Sequence, residues 1–281
     1  MKINKKNIND LLKFMQDIGY EAGEIILQYQ KERKMLSIIN KGHEGIASEA
    51  DEASEEFILQ AITNKFPKHK IMSEEDYSKN KRRLSQYKGA EFVWIIDPLD
   101  GTNNFVNGIP IYAVSIALMH NGKGLAGLVY NPLSGECFFA AKDQGAFLID
   151  FRINPLKTYK LENAFNDKKM NECIFSPAPV YDITHKFERQ LSTFRKNIVG
   201  ARAVRRLGSA ALELCYVANG NFDAYWEQNL KPWDVAAATL ICREAGVKVT
   251  DFDGKRFNID KDSVIAASDP LHSHILGKIS K

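Results

Sequence analysis

WIIDPLDGTNNF, running from Trp94 to Phe105, decides how this chain is read. Its opening residues, with Phe92 and Val93 ahead of them, form a short apolar run rich in β-branched and aromatic side chains, the pattern of a buried strand. That strand delivers Asp97 to its C-terminal end, Pro98 stiffens the turn that follows, and Asp100 returns a second carboxylate three residues on. Two anionic oxygen groups held this close suit a hard cation. Mg²⁺ takes oxygen ligands in near-octahedral geometry at about 2.0–2.1 Å and divides its shell among a few carboxylates, water and substrate phosphate. A shared carboxylate also bridges two metals about 3.5–4 Å apart, the spacing used for in-line displacement at phosphorus. Gly101 and Thr102 permit close backbone approach, and their N–H groups, opening a helix, would form an anion site. Asp-Pro and Asp-Gly are ordinary turn dipeptides too, but a turn needs neither the second Asp nor the threonine.

Outward from this motif the pattern divides the chain. Ile8, Leu11, Leu12, Met15, Ile18, Ala22, Ile25 and Ile26 form a helical stripe, and a second helix begins near Asp51, carries Phe57, Ile58, Ala61 and Ile62 on one face and stops before Pro67. Strand-like runs follow at Phe92 to Ile96, Tyr112 to Leu118, Gly124 to Tyr130 and Glu136 to Ala141, separated by Asn-Gly and Asn-Pro turn signals. Residues 1–150 therefore read as an α+β half. The remainder, 151–281, alternates: strands at Glu172 to Phe175, Asn221 to Trp226, Val247 to Thr250 and Ser263 to Ala267, helices at Ser209 to Ala218, Val235 to Ala245 and Pro270 to Ile279. This is an α/β half, with the polar segment Asn154 to Asn171 as the connection.

Composition sets outer limits. The 281 residues carry 38 Lys+Arg against 35 Asp+Glu, a formal net charge of +3, and are 44% hydrophobic. At this size roughly 75% of the unfolded chain's surface is buried on folding, so disorder, collagen-like repeats and disulfide scaffolds are excluded. The basic run from Lys79 to Lys88, containing Lys81, Arg82 and Arg83, reads as a solvated loop rather than a nucleic-acid footprint. Cys137, Cys173, Cys215 and Cys242 lie far apart without zinc-ligand spacing and read as buried thiols of a reducing compartment. Charges at Asp10, Lys13 and Asp17 leave no signal-peptide core, and the apolar part of the uncharged stretch, Ile109 to Met119, is too short for a bilayer. The expectation is a cytoplasmic protein without a membrane segment.

WIIDPLDGTNNF resembles the signature of the inositol monophosphatase family, the lithium-sensitive, Mg²⁺-dependent phosphatases that share a fold with fructose-1,6-bisphosphatase. KPWDVAAATLICREAG, Lys231 to Gly246, resembles the same family's second signature helix, and the likeness runs in order over nearly the whole chain. It implies a layered αβαβα sandwich, a homodimer, and two or three Mg²⁺ per site. The implied metal ligands are Glu74, Asp97, the carbonyl of Leu99, Asp100 and Asp234. Ser73 replaces a glycine usual before Glu74, which puts the local backbone geometry in question. Asp51, in IASEAD, takes the position that supports the nucleophilic water or a weakly held third metal, and Thr102 works with Glu74 to orient that water. On the substrate side the resemblance points to Asp100, Gly101, Thr102, Arg205, Ser209, Ala210, Glu227 and Asp234, with Glu227 accepting from a substrate hydroxyl. Each has a plainer reading: Asp51 as a helix N-terminal carboxylate, Arg205 as a surface arginine, Glu227 in a surface salt bridge. Glu213 reads as structural.

The implied activity is a phosphomonoesterase acting on myo-inositol 1-phosphate or a related polyol phosphate. Fructose 1,6-bisphosphate and histidinol phosphate stay open as substrates. The nucleotidase branch is disfavoured because Asn103, Asn104 and Phe105 follow Gly-Thr where those relatives carry a basic residue. DPLDGT superficially resembles the DxDGT loop of haloacid-dehalogenase phosphatases, but the two aspartates here are three residues apart. Some bacterial relatives also associate with transcription machinery, so a binding role beside catalysis stays open. The six histidines are dispersed, which suggests neither zinc nor a Ser-His-Asp triad.

Overall fold

The computed structural model describes residues 4–32, 38–40, 46–80, 84–162, 168–178, 187–261 and 263–279. The chain opens with α1 (Lys5–Lys31), a small hairpin of β1 (Ile38–Asn40) and β2 (Ile46–Ser48), and α2 (Glu49–Lys65). A seven-stranded sheet follows: β3 (Lys70–Ser73), β4 (Phe92–Asp100), β5 (Ala113–His120), β6 (Lys123–Tyr130), β7 (Glu136–Ala141), β8 (Gly145–Asp150) and β9 (Thr158–Leu161) lie side by side in that order. The short helices α3 (Glu74–Lys79) and α4 (Thr102–Asn107) follow β3 and β4. The second sheet has the order β11-β10-β12-β14-β13, with β10 (Ile174–Ala178), β11 (Ala203–Val204), β12 (Ala224–Gln228), β13 (Lys248–Thr250) and β14 (Ser263–Ala267). Its helices are α5 (Phe187–Ile198), α6 (Ala210–Ala218), α7 (Pro232–Glu244) and α8 (Leu271–Ile279).

Strand β4 explains the layering. All nine of its residues are buried. Trp94 and Ile96 face a core shared with Ile8, Leu11, Met15, Ile58 and Ile62 of α1 and α2. The alternate residues Val93 and Ile95 face a second core with Ala211, Leu214, Ala237 and Ile241 of α6 and α7. A strand apolar at every position is what such two-sided burial requires. The second sheet lies beyond α6 and α7, and its far face packs Phe175, Trp226 and Ile265 on Leu271 and Ile275 of α8. The order is helix, sheet, helix, sheet, helix, the expected αβαβα sandwich.

The elements expected from periodicity are present, with boundaries shifted by a few residues. Periodicity did not signal β1, β2, β3, β8, β11, α3 or α5, and two further features differ. The polar connection contains β9, because β8 offers an open edge to which Thr158–Leu161 hydrogen-bonds antiparallel. The second sheet is mixed, since β12 runs parallel to β10 but antiparallel to β14. Lys81, Arg82 and Arg83 lie outside the described residues, while Lys79 pairs with Glu52 at 2.7 Å. All four cysteines are buried and free, and Asp251 to Gly254 forms a turn in which Asp251 Oδ1 accepts from the amides of Asp253 and Lys255. Among the described residues no helix is long and apolar enough to cross a membrane.

Sheet and helix backbones meet closely at Gly127, where an added Cβ would lie 2.9 Å from the Ala237 carbonyl oxygen and 3.0 Å from its Cα. Both neighbours are backbone, so the contact is relieved only by moving α7. Gly127→Ala is expected to cost about 2 kcal/mol and to lower the Tm by about 4–8 °C; thermal unfolding followed by circular dichroism checks this, and an unchanged Tm refutes it.

Candidate active site

The two motif aspartates end up together through a defect in the sheet. Side chains alternate along a strand, so positions 97 and 100, an odd number apart, would project to opposite faces. Instead Asp97 pairs with Ser115 and Asp100 with Ala113, leaving Pro98 and Leu99 opposite one residue. This is a β-bulge, and its extra residue restores Asp97 and Asp100 to one face. The expected turn after Asp97 is thus a continuation of β4. Asp97 Oδ1 accepts from Leu99 N at 3.0 Å, and Ser54 Oγ of α2 donates to the Pro98 carbonyl at 3.0 Å, fixing the bulge from both sides. Gly101 follows at φ +91°, and a Cβ there would lie 3.0 Å from the Ile111 carbonyl oxygen.

Glu74 arrives from the neighbouring strand. β3 runs parallel to β4 with Ser73 opposite Ile96, so Glu74 emerges beside Asp97 at the same end of the sheet. Ser73 sits at φ −118°, ψ 156°. This is ordinary extended backbone, so a glycine is not conformationally required there. The following turn is held by Glu55, whose Oε1 accepts from the amides of Glu75 at 3.1 Å and Asp76 at 3.2 Å. Glu55 was missed in the sequence, although it lies one helical turn after Asp51 on the same face of α2.

Asp51 sits in the first turn of α2 and divides its two oxygens between different partners. Oδ2 accepts from Ser48 N at 2.8 Å and Ser48 Oγ at 2.6 Å, capping α2. Oδ1 lies 3.0 Å from Thr102 Oγ1, which is also 3.1 Å from the Leu99 carbonyl oxygen. Burial pushes the Asp51 carboxyl up to about 7, with the Ser48 hydrogen bonds opposing and the charges of Glu75 and Glu74 adding to it.

The second half supplies the rest. Ser209 Oγ donates to Asp100 Oδ2 at 2.5 Å and Ala211 N to the same oxygen at 2.9 Å, so the start of α6 grips the motif. Ala210 lies between these two donors at the first position of α6. Asp234, in the first turn of α7, accepts from Lys231 N at 2.7 Å. Glu227 is held by the Tyr225 hydroxyl, which donates to Oε2, and by Arg206 Nη2 at 3.8 Å from Oε1. Arg205 is exposed and its guanidinium donates to the Val204 carbonyl at 2.9 Å. The arginine facing Glu227 is therefore Arg206, one residue on, and Tyr225 is its second partner. Neither stood out in the sequence; the i, i+2 spacing of Tyr225 and Glu227 on β12 was the available signal.

Electrostatics ties these groups into one locus. Asp97, 2% exposed, is pushed well above the usual carboxylate range by burial and then by the charges of Glu74, Asp100 and Asp234. Burial and Asp100, followed by Glu74 and Glu227, do the same to Asp234. Asp100 rises to about 7, mainly by burial, despite its bonds from Ser209 and Ala211. Acidic groups so concentrated repel one another unless cations intervene. The donors fit a hard divalent ion in kind, all being carboxylate or carbonyl oxygen. Each aspartate is meanwhile turned to a protein donor, and among the described residues no three or more His, Cys, Asp or Glu side chains are gathered tightly enough to hold a metal ion.

Comparison with known proteins gives this geometry a context. The sequence profile described as the inositol monophosphatase family matches residues 7–281. The chain is 34% identical over 272 residues to the Nus factor SuhB of Pasteurella multocida, covering 97% of this chain and 96% of that protein. It is also 34% identical over 271 residues to the inositol-1-monophosphatase of Mesorhizobium japonicum, covering 96% of each. In three dimensions it resembles the extragenic suppressor protein SuhB of Bartonella henselae, with TM-score 0.84 and 31% identity over 97% of this chain and 99% of that one.

Proposed function

This chain belongs to the inositol monophosphatase family, and on that premise we propose that it is a Mg²⁺-dependent phosphomonoesterase hydrolysing a myo-inositol monophosphate or a closely related small polyol phosphate. The observation that carries the reading is the convergence of buried Asp97 and Asp100 with partly buried Glu74 and Asp234, whose charges act on one another. These four, with the Leu99 carbonyl, would hold two or three Mg²⁺. Bound there, the cations would supply Lewis acidity toward water and the phosphoryl oxygens.

The protein's own groups then divide the work. Thr102, by donating its hydroxyl proton to Asp51 Oδ1, leaves oxygen lone pairs available to accept from an attacking water. Asp51 accepts from Thr102 at 3.0 Å and so fixes which way that hydroxyl points. Glu74, beside Asp97, orients the same water. On the far side of the phosphorus, Glu227 accepts from a substrate hydroxyl, with Tyr225 and Arg206 fixing its orientation, and the backbone at Ser209 and Ala210 lines the approach. Gly101 lets the motif turn pass close to the Ile111 and Gly208 backbone, and its amide would face the phosphate. Arg205, which is exposed, would meet a substrate group that extends outward.

The test is a panel of myo-inositol 1-phosphate, fructose 1,6-bisphosphate, histidinol phosphate and adenosine 3′,5′-bisphosphate, assayed for phosphate release with Mg²⁺, with chelator and with added Li⁺. Release is expected only with Mg²⁺, with the highest kcat/KM for the inositol ester and inhibition by Li⁺. Metal-independent hydrolysis would sink the proposal. The reading extends to a cytoplasmic homodimer, which light scattering checks for the assembly. The name of the Pasteurella relative favours a second role in transcription; co-purification of polymerase or RNA with a catalytically inactive variant would support it, and a clean pull-down would count against it.

A further inference from the structure

The loop before α6 is gripped from both halves of the molecule. Leu207 N donates to Oε1 of Glu213 at 2.9 Å, and Glu213, 1% exposed, also accepts from the Ser176 hydroxyl on β10. The carbonyl on the other side of the same residue accepts from Asn104 Nδ2 at 2.7 Å, and that amide donates to the Ile111 carbonyl at 2.7 Å as well. Asn104, 8% exposed, belongs to α4, directly after the motif turn. Leu207 is thus pinned between an acid of the second half and an amide of the first. Gly208 follows at φ +80°, and a Cβ there would press on the Asn104 amide at 3.2 Å. The next residue is Ser209, whose hydroxyl donates to Asp100.

We infer that Asn104 and Glu213 are positioning residues, which grip Leu207 from opposite sides and thereby hold Ser209 and Ala211 on the Asp100 carboxylate. This rests on the phosphatase reading for its chemical consequence, but the grip itself does not. The geometry follows from donor and acceptor capacity: an amide side chain has two N–H donors, and Asn104 spends them on two carbonyls that belong to different halves. No other residue type of this size supplies two donors from one atom at that depth without carrying a charge. Removing Asn104 leaves both carbonyls short of a partner and frees the Leu207–Ser209 loop to swing away from Asp100. The reacting groups would then be displaced by a fraction of an ångström to an ångström, enough to cost about a hundredfold in rate. Groups that orient a metal ligand typically change metal affinity about 10–100-fold.

The test uses the full-length chain and two readouts, amide hydrogen exchange of the metal-free protein and calorimetric Mg²⁺ binding, alongside kcat and KM. In the wild type the amides of Leu207 and Ala211 are expected to be protected. In Asn104→Ala, exchange across residues 205–211 is expected to quicken about tenfold or more and Mg²⁺ affinity to fall about 10–100-fold, while amides of β5 and β6 keep their protection. Asn104→Asp, which keeps the size but loses the donors, is expected to behave likewise and serves if the alanine variant does not fold. Glu213→Gln, uncharged but able to accept, is expected to show a smaller change in the same segment. Unprotected Leu207 and Ala211 amides in the wild type, or unaltered exchange and Mg²⁺ affinity in a folded Asn104 variant, would overturn the inference. A wild type that binds no Mg²⁺ and releases no phosphate would instead defeat the functional reading, and the exchange measurements would still decide the grip.

Discussion

Asp97→Asn is expected to lower kcat/KM about a thousandfold while making the metal-free protein more stable. The loss corresponds to about 4 kcal/mol of transition-state stabilisation, the order expected when a buried carboxylate that organises divalent cations is neutralised. The gain arises because Asp97 is the group on which burial and three acidic neighbours act together. Replacing it by an isosteric amide removes repulsion that the folded chain bears and the solvated unfolded chain does not. A gain of about 1–2 kcal/mol, or about 2–6 °C in Tm, is expected in chelator, and the stabilisation that Mg²⁺ gives the wild type should largely vanish. Phosphate release assays and paired thermal melts with Mg²⁺ and with chelator check both halves of the statement. A variant that keeps full activity contradicts the assigned role, and one that melts lower than wild type in chelator contradicts the electrostatic account.

Mild acidification is expected to stabilise the metal-free protein. Asp51 and Glu227 each titrate near 7 in the folded chain, against ordinary values of 3.8 and 4.5, because burial penalises their charge more than their hydrogen bonds favour it. Between about pH 7 and pH 4 the folded state therefore holds more protons than the unfolded state, and stability rises as pH falls through 7. His272 works in the opposite sense. Its imidazole, fully buried on α8, is lowered to about 4 mainly by burial, so the unfolded chain takes up that proton first and stability falls between 6.5 and 4. Thr250 Oγ1 donates to the Asp251 carbonyl, so it accepts from His272 Nε2 at 2.9 Å, which fixes the neutral tautomer. Asp100, also raised to about 7, adds to the rise, so the net expectation is a gain of about 3 kcal/mol between pH 8 and pH 6 that continues to about pH 5 and flattens toward pH 4. Urea denaturation in chelator across that range measures it. Asp51→Asn should remove its share of the gain, and a stability that is flat or falling from pH 8 to 6 would refute the assignment.

Much of the layered fold was readable because its elements carry strong local signals. The stripe from Ile8 to Ile26 repeats at helical spacing and becomes the buried face of α1, and the unbroken apolar run before Asp97 becomes a strand with a core on either side. β9 escaped because Thr158–Leu161 is polar on its outer positions and is stabilised by an edge that β8 happens to leave open. The site was legible as an inventory of oxygen donors. Its supports were not: Glu55, Arg206 and Tyr225 become meaningful only through partners that folding brings to them. Asn104 stood inside the quoted motif, yet nothing local says that its amide will reach Leu207, 103 residues away.

The sequence by itself determined which chemical groups are available and where the strongly periodic helices and apolar strands lie, because both follow from side-chain identity and short-range periodicity. Only the tertiary structure decided that Asp97 and Asp100 act from one face. Three residues of separation forbid it on a regular strand, and one extra residue in the β4–β5 pairing allows it. Likewise only packing sets Ser209 against Asp100 across 109 residues, since a contact at that separation is fixed by the layers that α6 and α7 fill between the two sheets, not by any local preference of the chain.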